Sequence, residues 1–272
     1  MDWDSPVDSG PIPKDGSKFD AIVVGGGPGG SSAAAFLAMK GAKVLLLEKA
    51  VYPRDKTCGD AVGGKSLKHV EQLGVKHILE ETPHFRVDGI IFGAPNGKEV
   101  KIALPEEEVE QREAGYSLPR RQFDTLLFRN ANEKVLENGG AVIQGFSVKQ
   151  VHIENNAVTG VSGTHEKNEF HFTAPLTIGA AGYTCPVAKA VTGHHDEPMI
   201  DKDHYCGAYR EYWTNVGGCE DSQGAIEIHF IDGVIPGYFW IFPVGNGVVN
   251  VGIGMVLTEM DKQKTKLRAL QE

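Results

Sequence analysis

The stretch Phe19-Asp20-Ala21-Ile22-Val23-Val24-Gly25-Gly26-Gly27-Pro28-Gly29-Gly30 constrains this chain more than any other. Its apolar run, with β-branched residues at 22–24, suits a buried parallel strand, and the Ala-, Leu- and Met-rich residues 31–40 suit a helix. After Lys40-Gly41, the run Lys43-Val44-Leu45-Leu46-Leu47-Glu48 reads as a second strand ending in an acid. Strand, glycine turn, helix and strand predict a βαβ crossover. Glycines at 25, 27 and 30 allow a tight turn, then close approach of backbone to a pyrophosphate, then close packing of helix on strand. Pro28 falls where the first helical turn has no N–H to donate, and the free N–H groups of that turn face the phosphates. Glu48 is placed to accept from the ribose hydroxyls. The pattern predicts dinucleotide binding.

At 272 residues the chain can bury one large core or two modest ones. Its 41% hydrophobic and 23% charged residues fit a globular protein, and a net charge of −9 argues against a nucleic-acid partner or broad attraction to anionic lipid. Cys58, Cys185, Cys206 and Cys219 are widely spaced without a Cys-x-x-Cys pair, which reads against a disulfide framework or zinc knuckle and fits a reducing cytosol. Residues 1–18 lack a basic start and an apolar core, so they are read as a disordered leader and not as a signal peptide. No apolar run approaches the ~20 residues that span a bilayer, so any membrane contact is expected to be peripheral.

Further along, residues 50–64 read as a glycine- and proline-punctuated loop, and Leu67, Val70 and Leu73 mark a short amphipathic helix. Residues 87–92 and 99–104 flank Asn96-Gly97, a strong hairpin signal. The acidic run Glu106, Glu107, Glu108, Glu110 and Glu113 reads as a solvated loop. Phe123, Leu126, Leu127, Ala131 and Val135 mark a helix that ends at Asn138-Gly139-Gly140. Arg120 stands at its start, where a cation opposes the helix dipole, so a negative partner such as pyrophosphate or a carboxylate is expected.

Residues 141–144, 147–154, 157–164 and 169–173 read as short strands, and 176–179 as a return to the first sheet. Gly182 permits a tight turn after it. His194-His195-Asp196-Glu197 is the one metal-like cluster, but nothing supplies its missing ligands, and no metal is expected. No Gly-x-Ser-x-Gly elbow is present. From Cys206 the chain is strand-rich and aromatic, and alternation puts Tyr238, Trp240 and Phe242 on one face. Three such rings suit an apolar slot, and equally ordinary core filling. Residues 260–270 read as a helix.

The glycine turn with Ser31-Ser32-Ala33, then Glu48-Lys49 and Tyr52-Pro53-Arg54-Asp55-Lys56-Thr57-Cys58-Gly59, resembles the start of the geranylgeranyl reductase family. These are FAD enzymes related to the aromatic hydroxylases. Arg120-Arg121-Gln122-Phe123-Asp124, Ile178-Gly179-Ala180-Ala181-Gly182 and Pro236-Gly237-Tyr238-Phe239-Trp240-Ile241-Phe242-Pro243 extend the likeness, the last block being the most specific to prenyl-chain reductases. Where the wider group has Asp-Gly followed by a serine, this chain has Ala181-Gly182 and Cys185, and one residue fewer separates Pro236 from Tyr238.

The resemblance implies an α/β fold: a Rossmann-like βαβ domain for FAD with an interleaved antiparallel β-rich substrate domain. It implies Gly25, Gly27, Pro28, Gly29, Gly30, Glu48, Lys49, Gly59, Arg120 and Gly182 at the cofactor, Cys58 in catalysis, and Tyr238, Trp240 and Phe242 along a prenyl slot; by residue type alone Cys58 reads equally as a small buried apolar group. The reaction implied is reduction of C=C bonds in a geranylgeranyl or polyprenyl chain, with hydride from reduced flavin and electrons from NADPH or ferredoxin. The partner is then a polyprenyl lipid or prenylated small molecule, met in the cytoplasm or at the membrane periphery. The rival readings are a flavin monooxygenase or halogenase on the same scaffold, and a non-catalytic nucleotide-binding fragment.

The expected layout is a leader (1–18), an FAD-binding domain (19–85 and 115–195), a β-rich substrate domain (86–114 and 200–257) and the start of a further part (258–272). Family members continue past this point with a Gly-Asp signature, so the chain is read as C-terminally truncated.

Overall fold

The structure is a computed structural model, which describes residues 2–196, 199–264 and 266–271. In chain order the elements are β1 (Ala21–Val24), α1 (Pro28–Met39), β2 (Val44–Leu47), β3 (Ala61–Gly63), α2 (Gly64–Gln72), α3 (Lys76–Glu81), β4 (Phe85–Gly93), β5 (Glu99–Ala103), α4 (Glu106–Glu110) and β6 (Gly115–Ser117). Next come α5 (Arg120–Glu137), β7 (Ala141–Ile143), β8 (Ser147–Glu154), β9 (Ala157–His165), β10 (Asn168–Thr173), β11 (Leu176–Gly179) and α6 (Pro186–His194). β12 (Cys206–Thr214), β13 (Gln223–His229), β14 (Tyr238–Gly245), β15 (Val248–Val256), α7 (Leu257–Gln263) and α8 (Leu267–Gln271) complete it. The chain divides into two compact units, Met1–Arg54 with Arg121–Met199, and Asp55–Arg120 with Ile200–Glu272.

The first unit is built on a four-stranded sheet, β11-β1-β2-β7, in which every pairing is parallel. Residues of β1 and β2 are all buried, which is why their runs are continuously apolar and not alternating. α1 packs on β1 and β2 through Ser31, Ala34, Ala35 and Ala38, and these small side chains let helix and sheet approach closely. On the other face, Ile22, Val24, Leu45 and Leu47 join Phe146, Val161 and Phe172 in one buried cluster beneath the antiparallel meander β8-β9-β10. The parallel crossover is the βαβ unit that the opening residues predict.

The second unit is built on an eight-stranded sheet ordered β12-β15-β14-β13-β4-β6-β3, with β5 paired to β4. Its pairings are antiparallel apart from β13 on β4. β4 and β5 form the hairpin expected around Asn96-Gly97, with Gly97 at φ +77. β14 and β15 pair in a register that sets Trp240 opposite Gly252 and Phe242 opposite Asn250. Phe85, Val87, Ile226, Trp240 and Phe242 are buried together.

Several expectations need correction. Residues 55–85 and 115–120 belong with the second unit, where β3 and β4 both pair with β6. Residues 2–18, expected to be a disordered leader, are tied along the first unit. Gln144 donates to Val7 O and Ser9 Oγ, Asn132 to Asp8 O, and Lys18 bridges to Thr173 in parallel. The acidic run forms the short helix α4, and the helix expected at 260–270 is two helices, interrupted by Lys264 at φ +52. Among the described residues no helix is long and apolar enough to cross a membrane.

Candidate functional site

In the first unit, the glycine turn is held from three sides. Gly26 N–H donates to Glu48 Oε2, while its carbonyl accepts from the Tyr52 hydroxyl and from Ser31 Oγ, each at 2.7 Å. Tyr52 in turn stacks on Phe128 with ring centroids 4.1 Å apart. With both backbone polar groups of Gly26 engaged, the turn is preorganised. Gly25 sits at φ +108, where a Cβ would fall 2.5 Å from Ala180 O, so the backbone just past β11 lies directly against it. A Cβ at Gly30 would fall 1.7 Å from Gly25 O, the close helix-to-strand contact foreseen for the third glycine.

Gly27 and Gly29 differ from these. A Cβ at Gly29 meets nothing within 4 Å, and one at Gly27 meets Arg54 Nη2 alone, at 3.5 Å. These two glycines therefore face open space. α1 begins at Pro28 with Gly27 as its N-cap, and no side chain caps it. Its first N–H groups, together with the helix dipole, are suited to an anion. Arg54 brings the positive charge beside this mouth: it pairs with buried Asp124 at 2.7 Å and lies 4.9 Å over the Tyr52 ring. The residues present thus fit the pyrophosphate of a dinucleotide.

Glu48 is buried, with Oε1 accepting from Ala50 N–H at 2.8 Å. Each carboxylate oxygen carries two lone pairs, so acceptor capacity remains for a ribose. Lys49 is exposed beside it. Gly182, at φ +70, is exposed at the turn before α6.

In the second unit, Cys58 and Gly59 are brought together with Trp240 and Phe242. A Cβ at Gly59 would lie 2.8 Å from the Phe242 ring. Trp240 and Phe242 are buried, while Tyr238, on the same face, is 42% exposed. Trp240 lies across Gly252, where a Cβ would fall 2.1 Å from Cζ2, and its indole N–H donates to Asn250 Oδ1 at 2.8 Å. Asn250 then donates from Nδ2 to Cys58 O at 2.7 Å.

Asp60 follows in the left-handed region at φ +69, its side chain buried and accepting from the Tyr212 hydroxyl at 2.5 Å. Arg210 lies 4.1 Å over the Tyr212 ring and bonds to both oxygens of Asp55. Arg120 belongs to this acidic neighbourhood, its charge acting on Asp55 and its backbone N–H on Asp60.

Burial raises the Asp60 carboxyl above its ordinary range, and Tyr212, Asn250, Arg210 and Arg120 offset this in part. At Asp55 burial works the same way, but the Arg210 hydrogen bond and the Lys56 N–H outweigh it and hold the carboxyl low. Burial, with Asp60 beside it, pushes the Tyr212 hydroxyl up. The native state therefore holds a proton on Asp60 that the unfolded chain releases from the ordinary value of 3.8 upward. Its stabilising contribution is full below that value and is lost as pH rises through the raised one. Asp60→Asn is expected to remove this fall, measured as a flatter profile of urea unfolding free energy between pH 4 and pH 7. An unchanged slope would contradict it.

Asn250, Tyr212, Asp60 and Arg210 are the residues that sequence reasoning passed over as functional. Asn250 alone carried a signal, a single polar residue in the apolar run Val248-Val249-Asn250-Val251. Of the histidine cluster, His194 Nε2 lies 2.9 Å from Asn156 Oδ1, and Glu197 falls outside the described residues. No group of three metal-ligating side chains occurs among the described residues, and all four cysteines are free.

A parallel βαβ sheet with an uncapped glycine turn, in a chain that also carries a large, mainly antiparallel sheet, defines a dinucleotide-binding α/β protein. Residues 18–203 match the FAD binding domain model, and residues 204–272 match the geranylgeranyl reductase catalytic domain. The chain belongs to the geranylgeranyl reductase family of FAD-binding proteins. It is 30% identical over 251 residues to digeranylgeranylglycerophospholipid reductase of Methanosarcina mazei, a match covering 92% of this chain and 57% of the relative. It is also 30% identical over 258 residues to menaquinone reductase of Mycobacterium tuberculosis, covering 92% and 58%.

Among solved structures, a geranylgeranyl bacteriochlorophyll reductase-like protein of Thermoplasma acidophilum superposes with a TM-score of 0.73 at 25% identity, covering 93% of this chain and 60% of that one. The myxobacterial FAD-dependent chondrochloren halogenase shares the fold, with a TM-score of 0.76 at 24% identity, covering 93% and 56%. The chain thus spans a little over half the length of these relatives.

Proposed function

We propose that this chain carries the FAD-holding and substrate-facing part of a reductase that saturates C=C bonds in a geranylgeranyl or longer prenyl chain. The observation that carries this is the conjunction of an open, preorganised glycine turn with residues 204–272, which carry β12 to β15 and match the geranylgeranyl reductase catalytic domain. The N–H groups at the start of α1, with Arg54, bind the pyrophosphate, and Glu48 accepts from the adenosine ribose. FAD, when bound and reduced, supplies the hydride for one alkene carbon, and a proton goes to the other. An isolated alkene has no carbonyl to take up charge, so orientation and exclusion of water fall to the protein.

Cys58 acts in that step, and Gly59 lets the loop lie against the sheet. Gly182 and Lys49 complete the cofactor contacts, and Arg120 acts as a counter-charge. Trp240 and Phe242 support the Cys58 loop, and Tyr238 offers its exposed ring to the prenyl chain. The electron donor is NADPH or ferredoxin. The substrate is a prenyl lipid or prenylated small molecule, reached from the cytoplasm or by peripheral membrane contact.

The test is anaerobic incubation of dithionite-reduced, FAD-reconstituted protein with digeranylgeranyl glycerophospholipid and with a geranylgeranylated quinone, followed by mass spectrometry. Products heavier by successive pairs of hydrogens are expected. No gain, together with a hydroxylated or halogenated product in air, would overturn the reductase reading.

A further inference from the structure

We propose that Tyr212 and Asn250 are positioning residues which, with Phe242 between them in function, clamp the Cys58-Gly59-Asp60 loop onto one row of the β-sheet. The row is set by strand register. Tyr212 on β12 is the cross-strand partner of Asn250 on β15, and Asn250 is the cross-strand partner of Phe242 on β14. Directly opposed residues on neighbouring strands point to the same face of a sheet. The row Tyr212, Asn250, Phe242 therefore presents three side chains side by side, and each meets a different residue of the loop.

Tyr212 donates its hydroxyl to Asp60, Asn250 donates its amide to the Cys58 carbonyl, and the Phe242 ring lies where a Cβ of residue 59 would stand. The contacts are matched in chemistry as well as in place. An indole N–H only donates and a backbone carbonyl only accepts, so Trp240 on one side and Cys58 O on the other leave a single orientation for the Asn250 amide. Asn250 is 0% exposed, so both bonds are made without competition from water.

The loop needs such restraint. Asp60 occupies the left-handed region without being glycine, a conformation that persists where surrounding contacts over-determine it. Arg210, stacked on Tyr212 and paired with Asp55, fixes the phenol ring and the approach to the loop at once. Sequence-remote strands thus determine where the half-exposed Cys58 lies. This proposal rests on the reading that Cys58 acts in the reduction only for its consequence on rate; the clamp itself is geometric.

The test is alkylation of the FAD-reconstituted protein with iodoacetamide under native conditions, quantified cysteine by cysteine by peptide mass spectrometry. Asn250→Asp replaces the donor with a carboxylate facing Cys58 O, and Tyr212→Phe removes the hydroxyl while keeping the ring. Cys58 labelling is expected to rise about tenfold in the first and about threefold in the second, because the loop opens more often. Buried Cys219, which packs with Val249 and Val251 on the same strand as Asn250, serves as the internal control and should not change.

Cys58 rates within twofold of wild type in both variants would overturn the clamp, and so would a parallel rise at Cys219, which reports general loosening. With geranylgeranyl diphosphate as probe, Asn250→Asp should lower kcat about tenfold with KM changed less than twofold. Should Cys58→Ser reduce that probe at the wild-type rate while the labelling shifts appear as stated, the clamp stands and the role assigned to Cys58 falls.

Discussion

Gly30→Ala is expected to abolish FAD retention. The added Cβ would stand 1.7 Å from Gly25 O and 3.1 Å from Ala180 Cβ, and neither neighbour can move aside alone. Gly25 is itself committed to φ +108 against Ala180, and Ala180 N–H is bonded to Val24 O at 2.8 Å. Relief therefore requires α1 to lift from β1, which carries the N–H groups of its first turn away from the phosphate position. Flavin fluorescence titration should show affinity weakened at least about 100-fold, a loss of about 2.7 kcal/mol. The control is Gly29→Ala, one residue earlier, where a Cβ meets nothing within 4 Å. That variant should unfold within about 1 kcal/mol of wild type, since Ala is the better helix former. Retention of FAD by Gly30→Ala at wild-type affinity would remove the turn from the site.

Trp240→Ala is the second large effect, and it acts on stability. The indole is 4% exposed, covers Gly252, packs with Phe242 at a centroid distance of 6.5 Å, and satisfies Asn250. Removing it leaves a cavity over a glycine that cannot fill it and an amide oxygen without its donor. Large aromatic truncations in cores cost about 3–5 kcal/mol, and this one belongs in that range. Urea unfolding followed by circular dichroism measures it. Trp240→Phe should recover more than half of the loss, because it restores most of the volume but not the N–H. A cost under about 1 kcal/mol for the alanine variant would mean that Trp240 lines a solvent-filled slot and does not support the loop.

The parts legible in the sequence were those governed by local pattern. The turn glycines at 25 and 30 mark the passage from β1 into α1 because a Cβ at either would run into backbone, Ala180 O for the first and Gly25 O for the second. Asn96-Gly97 specifies the β4–β5 hairpin, and alternation puts Tyr238, Trp240 and Phe242 on one face, where their rings do follow one another at 6.0 and 6.5 Å. Alternation could not say how deep that face lies, and burial of Trp240 and Phe242 depends on Gly59 and Gly252, which come from distant segments.

The division after Arg54 was likewise invisible, since β3 is only three residues long and is fixed by pairing with β6. Residues 2–18 read as disordered because their own composition forms no element; the donors that hold them, Asn132 and Gln144, lie more than a hundred positions away. The break at Lys264 carries no glycine to announce it. Asn250 is the instructive omission: a lone amide in an apolar strand must find partners when buried, and asking for them leads to Cys58.

The most direct test of the account compares FAD binding by the wild-type chain and by Gly27→Ala. In the fold a Cβ at position 27 meets Arg54 Nη2 alone, at 3.5 Å, so the variant should unfold at the wild-type temperature. A backbone that approaches a pyrophosphate leaves no room for that methyl group, so affinity for FAD should fall at least about tenfold. Saturable FAD uptake by wild type with that selective loss is the predicted result. A wild-type chain that takes up no FAD, or a Gly27→Ala variant that binds it equally well, would contradict the account.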